Sequence, residues 1–319
     1  MPKIGLISNP RSQRNRRGLQ EIRQILADAP DIVHIATDTS GELDEVLAEF
    51  AARGVDLLLI NGGDGTVQTT LTRVLEERPF ESTPLLGVLP RGTANTTAAD
   101  VGLRGKTAAA LNRLLAAGRD GSIADYVVER PVLRIENLTG GMAQRGMMFG
   151  AGAIPDAIEL CNREVYGRGL KGDLGMGLTL AAILLGSVLG RRANGVLRPH
   201  EIGVMLDGGR EIRAHRLLVL ATTLHRLILR SRPFWNYDAQ PIRYTSIAYP
   251  AEHLLSAAPK VMYGWRRDAL HPEVYHSKGA RRIELRLQAP FTLDGETFQP
   301  LPDQPIVITA AERVRFVRL

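Results

Sequence analysis

Short apolar runs and amphipathic segments alternate along the first 120 positions of this 319-residue chain. The apolar runs predict buried strands at Lys3–Ser8, Ile32–Ala36, Val55–Ile60 and Leu85–Leu89. Segments with apolar residues three and four positions apart predict helices at Gly18–Ala27, Leu43–Ala52, Val67–Leu75 and Thr107–Ala117. Because strands and helices alternate, we expect a doubly wound α/β domain built on a parallel sheet.

The pattern changes after about residue 123, where most apolar stretches become strand-like and lack long helices between them. The predicted strands are Tyr126–Glu136, Gly146–Gly150, Glu201–Leu206, Ile212–Ala221, Arg282–Leu287 and Pro305–Thr309. One main helix is predicted at Asp173–Arg192. We therefore expect two domains, residues 1–123 and a mostly antiparallel β domain at 124–319, with the last strand or tail able to pack back on the first.

One segment of the predicted main helix, Leu174–Gly190, has no charged residue. It is 17 residues long, at the lower edge of what spans a bilayer. We favour a helix packed in the second domain; a helix lying on a membrane surface and a true span remain as alternatives.

Charge and cysteine content narrow the class of protein. The net charge is +6, and since residues 1–125 hold 14 basic and 16 acidic residues, the basic excess lies wholly in the second part. A single cysteine, Cys161, excludes an intramolecular disulfide or a multi-cysteine metal site. The N-terminus lacks the apolar core of a secretion signal, so we expect a cytoplasmic protein.

Glycine and polar residues follow three of the predicted parallel strands, at 9–14, 61–66 and 90–95. Ligands of such sheets bind beyond the carboxyl ends of the strands. In the second loop, Gly62, Gly63 and Gly65 let a ligand approach the backbone, and the helix that follows directs its N–H groups at an anion. This pattern predicts a phosphate-binding turn.

Asp64 lies inside that turn, where a carboxylate would repel phosphate unless a cation or a proton intervened. It therefore predicts Mg²⁺, held directly or through water. The alternative is an acidic residue that stabilises the helix N-terminus. The loop Leu89–Asn95 adds a second Gly-Thr pair on the same sheet edge and supplies Arg91 for phosphate.

Four motifs occur along the chain in this order: Asn9-Pro10, Gly62–Thr66, Leu89–Asn95 and Leu293–Glu296. Together they resemble the diacylglycerol kinase catalytic-domain family, which includes bacterial lipid kinases and sphingosine and ceramide kinases. The resemblance implies a nucleotide-binding α/β domain, a β-rich second domain and an active site in the cleft between them. It also implies ATP, Mg²⁺ and a lipid hydroxyl as phosphate acceptor.

The resemblance assigns roles to individual residues. Glu296 matches the general base and Asp64 the essential aspartate, and we assign removal of the acceptor proton to Glu296. The cofactor-binding residues implied by motif and by the turn are Asn9, Thr37, Gly62, Gly63, Asp64, Gly65, Thr66, Val67, Gln68, Thr69, Arg91, Gly92, Thr93 and Asn95. The residues of a metal site stay unknown.

The motifs also depart from the family pattern. By its residues alone, the segment 294–297 is more typical of a plain hairpin turn, because Asp-Gly is a strong hairpin signal; the resemblance favours the general-base role of Glu296 instead. Asn95 is followed by Thr96 where the family usually has aspartate, and Thr69 stands where a glutamate is common. The glycine-rich acceptor motif is barely detectable within Leu224–Thr245, which leaves the acceptor pocket open; Asp156 is a weak candidate for the cleft.

Nine arginines against three acids lie between Arg191 and Arg232, interleaved with large apolar residues. Such a surface fits an anionic membrane, so we expect peripheral membrane association. A solvated sheet face is the alternative; no nucleic-acid-binding motif accompanies the charge, so no nucleic acid partner is expected. A homodimer is left open.

The leading hypothesis is an ATP-dependent lipid kinase that phosphorylates diacylglycerol, ceramide or a sphingoid base. Two alternatives remain. A soluble-substrate kinase such as NAD kinase would carry a second Gly-Ser/Thr motif in its sheet-rich domain, and none is found. A non-catalytic nucleotide-binding regulator would keep the glycine turn without needing Glu296.

Overall fold

The computed structural model describes residues 2–10, 15–27, 29, 32–37, 40–90, 95–160, 198–237, 239–251 and 253–319. The chain divides into two compact units. The first comprises Met1–Pro131 together with Arg313–Leu319, and the second comprises Val132–Glu312. Each unit has its own sheet and core.

The first unit contains a six-stranded sheet with helices between its strands. Its elements are β1 (Ile4–Ser8), α1 (Asn15–Ala27), β2 (Ile32–Ala36), α2 (Ser40–Ala52), β3 (Leu57–Gly62), α3 (Asp64–Thr72) with a π turn (Arg73–Glu77), β4 (Leu85–Pro90), α4 (Thr96–Val101), α5 (Thr107–Asp120) with a 3₁₀ turn (Ser122–Tyr126), β5 (Val127–Pro131) and β17 (Arg313–Val317). The strand order is β2-β1-β3-β4-β17-β5, parallel except for the β17–β5 pair.

Helices cover both faces of this sheet. On one face, Leu6 and Leu59 pack with Ile22 of α1 and Leu111 of α5. On the other face, Gly5 lies so close to Phe50 of α2 that a Cβ atom there would be 2.6 Å from the ring. Strands covered on both sides explain the continuous apolar runs in the sequence. The prediction of a doubly wound parallel α/β fold is confirmed.

The second unit is an eleven-stranded antiparallel sheet. Its elements are β6 (Leu133–Glu136), β7 (Gln144–Gly146), β8 (Met148–Gly152), α6 (Ile154–Leu160), β9 (His200–Leu206), β10 (Ile212–Thr222), β11 (Ile242–Ala248), α7 (Leu254–Tyr263), β12 (Tyr275–Ala280), β13 (Arg282–Arg286), β14 (Phe291–Leu293), β15 (Glu296–Phe298) and β16 (Ile306–Thr309), with 3₁₀ turns at Ile228–Arg230 and Arg267–Ala269. The main path is β15-β14-β8-β10-β9-β13-β16-β6-β7, and β11 pairs with β10 and β12. The predicted antiparallel β architecture is confirmed.

Two apolar clusters stabilise the second unit. In the larger one the rings of Phe149 and Phe291 stack with centroids 5.1 Å apart. In the smaller one Ala257 and Val261 of α7 pack against Leu217 and Ile247. Helix α7 is therefore attached to the sheet by one narrow apolar face.

Some elements differ from the prediction. The stretch predicted as one strand, Tyr126–Glu136, is two strands in different sheets, because Pro131 lacks the N–H needed to continue the ladder. Helices α4 and α7 were not predicted, since both are short and carry a proline or β-branched residues. The predicted helix Asp173–Arg192, with its segment 174–190, lies outside the described residues.

Among the residues that the structure describes, no helix has both the length and the apolar character needed to cross a membrane.

Candidate active site

The glycine turn connects β3 to α3 at the carboxyl edge of the parallel sheet. Gly62 ends the strand, Gly63 occupies the N-cap position with φ −88° and ψ −177°, and Asp64 begins the helix. A Cβ atom on Gly62 would lie 2.5 Å from Cβ of Thr66. Only glycine allows the helix to start so close to the strand, which leaves backbone N–H groups at the sheet edge.

Asp64 connects this turn to the next loop. Its two carboxylate oxygens accept hydrogen bonds from the backbone N–H groups of Thr96 (3.0 Å) and Thr97 (2.9 Å), the first two residues of α4. The side chain thus caps α4, a role that a neighbouring Asp, Asn, Ser or Thr ordinarily fills from the N-cap position. The glycine turn and the start of α4 are therefore held together by one carboxylate.

Burial raises the pKa of the Asp64 carboxyl above its ordinary value of 3.8. Hydrogen bonds from Thr97, Thr96 and Asn95 oppose this shift without cancelling it. The carboxylate is therefore costly to ionise in the free protein. A cation nearby would lower that cost, which is the situation that the sequence analysis anticipated for phosphate and Mg²⁺.

The first loop contacts the glycine turn directly. Asn9 donates its side-chain N–H to Oγ1 of Thr66 (3.1 Å) and its backbone N–H to the carbonyl of Asn61 (3.1 Å). Thr37, after β2, donates its backbone N–H to the carbonyl of Ser8 (3.0 Å) and its hydroxyl to Glu42 (3.0 Å). The structure thus brings Asn9, Thr37 and the Gly62–Thr66 turn to one sheet edge.

The remaining predicted binding residues divide into four groups. Val67 and Gln68 are buried, and Gln68 donates to the Thr72 hydroxyl (3.0 Å), so their side chains serve packing. The Thr69 hydroxyl donates to the carbonyl of Gly65 (3.0 Å). Asn95 is left-handed (φ 50°) at the N-cap of α4. Arg91, Gly92 and Thr93 lie outside the described residues.

A buried polar group that the sequence analysis missed lies beneath the edge. Asn61 donates to the Ser8 hydroxyl (2.8 Å), which also contacts Nε2 of His34 (2.9 Å). Burial, followed by the charge of Arg23, lowers the pKa of His34, so its ring is held neutral. The available signal was a polar residue near the end of β1 and of β3 and a histidine in the middle of β2. This network ties β1, β2 and β3 together below the glycine turn.

In the second unit, the Leu293–Glu296 motif is a hairpin. Asp294 (φ 50°) and Gly295 (φ 89°) form the two-residue turn between β14 and β15, and Leu293 pairs with Glu296. Asp294 is buried, whereas Glu296 at the start of the edge strand is exposed. The segment is thus a hairpin, as its Asp-Gly pair predicts, and the Glu296 side chain on it is exposed.

The Asp294 carboxylate anchors this hairpin to the rest of the sheet. It accepts the backbone N–H groups of Met147 (2.8 Å) and Met148 (2.9 Å). A Cβ atom on Gly146 would lie 2.6 Å from the Asp294 carboxylate, so glycine makes room for it. Asp156, the weaker candidate, lies half-buried on the short helix α6.

Within the described ranges, no group of three or more His, Cys, Asp or Glu side chains is arranged to hold a metal ion. Mg²⁺ commonly keeps several waters and binds through one or two carboxylates plus substrate phosphates. Asp64, whose pKa is raised by burial, is a carboxylate at this edge that would fit such an ion.

The fold and the glycine turn define the class first: a doubly wound α/β domain whose ligand edge is built by a Gly-Gly-Asp-Gly-Thr turn, followed in the chain by an antiparallel β unit. Within that class, residues 3–124 match the model of the diacylglycerol kinase catalytic domain. This part of the chain is therefore similar to the diacylglycerol kinase catalytic domain.

Curated relatives named as probable lipid kinases are similar to parts of this chain. The probable lipid kinase YegS-like of Enterobacter sp. (strain 638) is 31% identical over 145 residues, which are 45% of this chain and 48% of that protein. The probable lipid kinase YegS of Salmonella heidelberg (strain SL476) is 26% identical over 234 residues, 66% of this chain and 74% of that protein. The chain thus spans about half the length of several relatives that it matches.

Solved structures extend the fold match to the whole chain. A crystal structure of a diacylglycerol kinase from Bacillus anthracis str. Sterne aligns with a TM-score of 0.61 and 17% identity, over 99% of this chain and 96% of that one. A second structure from that organism aligns with a TM-score of 0.67 and 20% identity, over 99% of this chain and 95% of that one. At these identities the likeness establishes the two-domain fold.

Proposed function

We propose that this protein is an ATP-dependent lipid kinase that transfers the γ-phosphate to a hydroxyl group of a lipid. The observation that carries the proposal is the glycine turn at the carboxyl edge of β3, fixed to α4 by Asp64, inside a segment that matches a diacylglycerol kinase catalytic domain. The names of the curated relatives point to the same reaction.

The nucleotide phosphates would bind at the Gly62–Thr66 turn. Gly62 and Gly63 place no side chain over the start of α3, and the N-terminal N–H groups of that helix favour an anion. Asn9 orients the Thr66 hydroxyl at the same edge. When bound, Mg²⁺ would neutralise charge that develops on the phosphates, with Asp64 as its nearest protein carboxylate in this turn.

Glu296 would accept the proton that the lipid hydroxyl loses as its oxygen attacks the γ-phosphorus. Its carboxylate is exposed, and it stands on a hairpin whose turn is fixed by Asp294, so a substrate can reach it without the hairpin having to open. Oxygen–phosphorus bond formation is balanced by departure of ADP. The acceptor is diacylglycerol, ceramide or a sphingoid base.

Membrane association follows from this substrate, because a long-chain acceptor resides in a bilayer. Of the arginine-rich stretch in the sequence, the described part begins at Arg198 and includes the exposed Arg226, Arg230 and Arg232. These side chains can meet anionic headgroups.

The experiment is phosphate transfer from labelled ATP, with Mg²⁺, to a mixed lipid extract, followed by identification of the labelled lipid. Glu296→Gln keeps the size of the side chain but removes its basicity, so kcat should fall by at least about 100-fold. Glu201→Gln, at another exposed glutamate of the same unit, is the control and should leave kcat unchanged. A fall below threefold in Glu296→Gln would demote the residue to a turn position, and label in no lipid would reject the kinase.

A further inference from the structure

Two of the three most exposed large apolar side chains described in the second unit lie close together in the chain. Trp265 is 69% exposed and Tyr263 57% exposed, at the end of helix α7. We call residues Tyr263–Arg267 the aromatic turn. A tryptophan this exposed is unusual, because its large apolar surface normally packs against protein.

The aromatic turn is held firmly. Gly264, in the left-handed region (φ 79°), ends α7, and its N–H donates to the carbonyl of Lys260 (3.0 Å). Arg267 points inward: it donates to the carbonyls of Lys260 and Val261 (3.3 Å each), and its guanidinium lies 5.2 Å from the ring centre of Trp235. The turn therefore presents Trp265 on a fixed backbone.

Exposed arginines lie next to the two exposed rings in the chain and in a segment that contacts the aromatic turn. Arg266 is exposed beside Trp265, and the segment with the exposed Arg230 and Arg232 contacts the turn. The Tyr263 hydroxyl donates to the Leu229 carbonyl (3.4 Å), and the backbone N–H of Arg232 donates to the Met262 carbonyl (2.7 Å). One exposed acid, Asp268, follows in the chain. Three exposed arginines against one aspartate make this surface complementary to an anionic partner.

We propose that the aromatic turn docks the second unit on an anionic lipid bilayer, with Trp265 and Tyr263 at headgroup depth and Arg266, Arg230 and Arg232 on lipid phosphates. Tryptophan and tyrosine favour this interface because each has an apolar ring and a polar edge. Arginines near the surface add attraction to anionic lipid. The inference rests on the proposed function, since a lipid kinase must meet its acceptor at a bilayer.

The docking surface is connected to the Glu296 hairpin within the second unit. Asp294 accepts the N–H of Met147, whose carbonyl accepts the Thr223 N–H (3.1 Å). From Thr223 the chain runs on to Arg232, which bonds to Met262 at the end of α7. One continuous segment thus links the anchor of the hairpin to the aromatic turn.

A single-tryptophan protein tests the depth of the turn. The chain has two tryptophans, so Trp235→Phe leaves Trp265 as the only indole. With vesicles of phosphatidylglycerol and phosphatidylcholine, its emission should shift to the blue and be quenched by lipids brominated on the acyl chain. The proposal would be overturned if the protein sediments with vesicles while the emission of Trp265 remains that of an indole exposed to water. A blue shift that occurs without lipid and increases with protein concentration would also overturn it, because it would indicate self-association.

Vesicle sedimentation of matched variants tests how much the aromatic and arginine side chains contribute to membrane binding. Trp265→Ser with Tyr263→Ser should weaken binding at least about tenfold, whereas Ile212→Ser, at another exposed apolar residue (59%), should not. Arg266→Gln and Arg230→Gln should each weaken binding to anionic vesicles about fivefold at low salt, with less effect at high salt. Arg119→Gln in the first unit is the charge-matched control. Equal binding by all variants would refute the docking surface.

Failure of this inference is distinguishable from failure of the kinase proposal. If no lipid gains phosphate but Trp265 enters vesicles, the docking surface stands and the kinase proposal fails. If acceptor in detergent micelles is phosphorylated while Trp265 stays in water, the docking surface alone fails.

Discussion

The two units each contain an aspartate in a glycine motif, and the two carboxylates make the same kind of contact in different settings. Asp64 accepts two consecutive backbone N–H groups at the start of α4. Asp294 accepts two consecutive N–H groups where β7 passes to β8. Each carboxylate fixes a tight turn to a segment distant in sequence.

The difference lies in what each turn presents. The Asp64 turn presents backbone N–H groups at a helix N-terminus, and its neighbours Asn9 and Thr66 are polar. The Asp294 turn presents one exposed acid, Glu296, on an edge strand. The aspartate of each motif is therefore a structural clamp. Under the proposed function, the groups beside it would carry the chemistry: anion binding in the first unit and proton removal in the second.

Of the substitutions that test this comparison, Asp64→Asn should cause the largest loss of phosphate transfer. Asparagine has one acceptor oxygen for the two N–H groups of Thr96 and Thr97, so the glycine turn and α4 would separate. Phosphate transfer should fall by at least about 10³-fold, as expected where the phosphate-binding groups lose their alignment, while the protein stays folded. Labelled-ATP transfer and circular dichroism measure the two outcomes.

The control for that substitution is Asp56→Asn, which also removes a carboxylate that accepts a backbone N–H in the first unit, that of Lys3 (3.1 Å). It should leave transfer unchanged. Full activity in Asp64→Asn would show that the carboxylate is needed neither as a clamp nor beside a cation.

Asp294→Asn is the matched substitution in the second unit, with a smaller effect. It unpairs one of the buried N–H groups of Met147 and Met148, so the free energy of unfolding should fall by about 2 kcal/mol. Because the hairpin carries Glu296, kcat should fall by about tenfold, less than on loss of Glu296 itself. Urea unfolding and steady-state kinetics measure these changes. A fall in phosphate transfer as large as that of Asp64→Asn would contradict the division of roles.

Much of the first unit follows from periodicity, since its buried strands and amphipathic helices have strong patterns. The strand Ile32–Ala36 has the bounds that were predicted, and the helix predicted to end at Ala52 does end there. The start of α3 was placed at Val67 rather than Asp64 because a Gly-Asp-Gly sequence has low helix propensity. Here the hydrogen bonds of Asp64 override propensity.

The parts that could not be predicted depend on contacts between distant residues. Nothing local in Thr96–Val101 indicates a helix capped from residue 64, because the N-cap residue Asn95 makes no side-chain cap bond. The Asp294 clamp needs Gly146, which lies nearly 150 positions away. The sequence motifs contain both carboxylates, but the backbone N–H groups that each one accepts are visible only in the tertiary structure.

The pH dependence of stability gives the smallest effect, with a defined sign. Because the pKa of Asp64 is raised in the folded state, the native protein binds more protons than the unfolded chain at a pH between 3.8 and the raised value. The stabilisation is complete below 3.8 and is lost as pH rises through the folded pKa, with a slope of at most about 1.4 kcal/mol per pH unit. In urea unfolding from pH 4 to 7, the difference between wild type and Asp64→Asn should therefore fall as pH rises. Asp120→Asn is a control of opposite sign, because hydrogen bonds from Ser122 lower the pKa of Asp120, and the stabilisation that this gives is lost as pH falls. If the stability difference between wild type and Asp64→Asn instead rose with pH, the hydrogen bonds from Thr96 and Thr97 would outweigh burial in setting the pKa of Asp64.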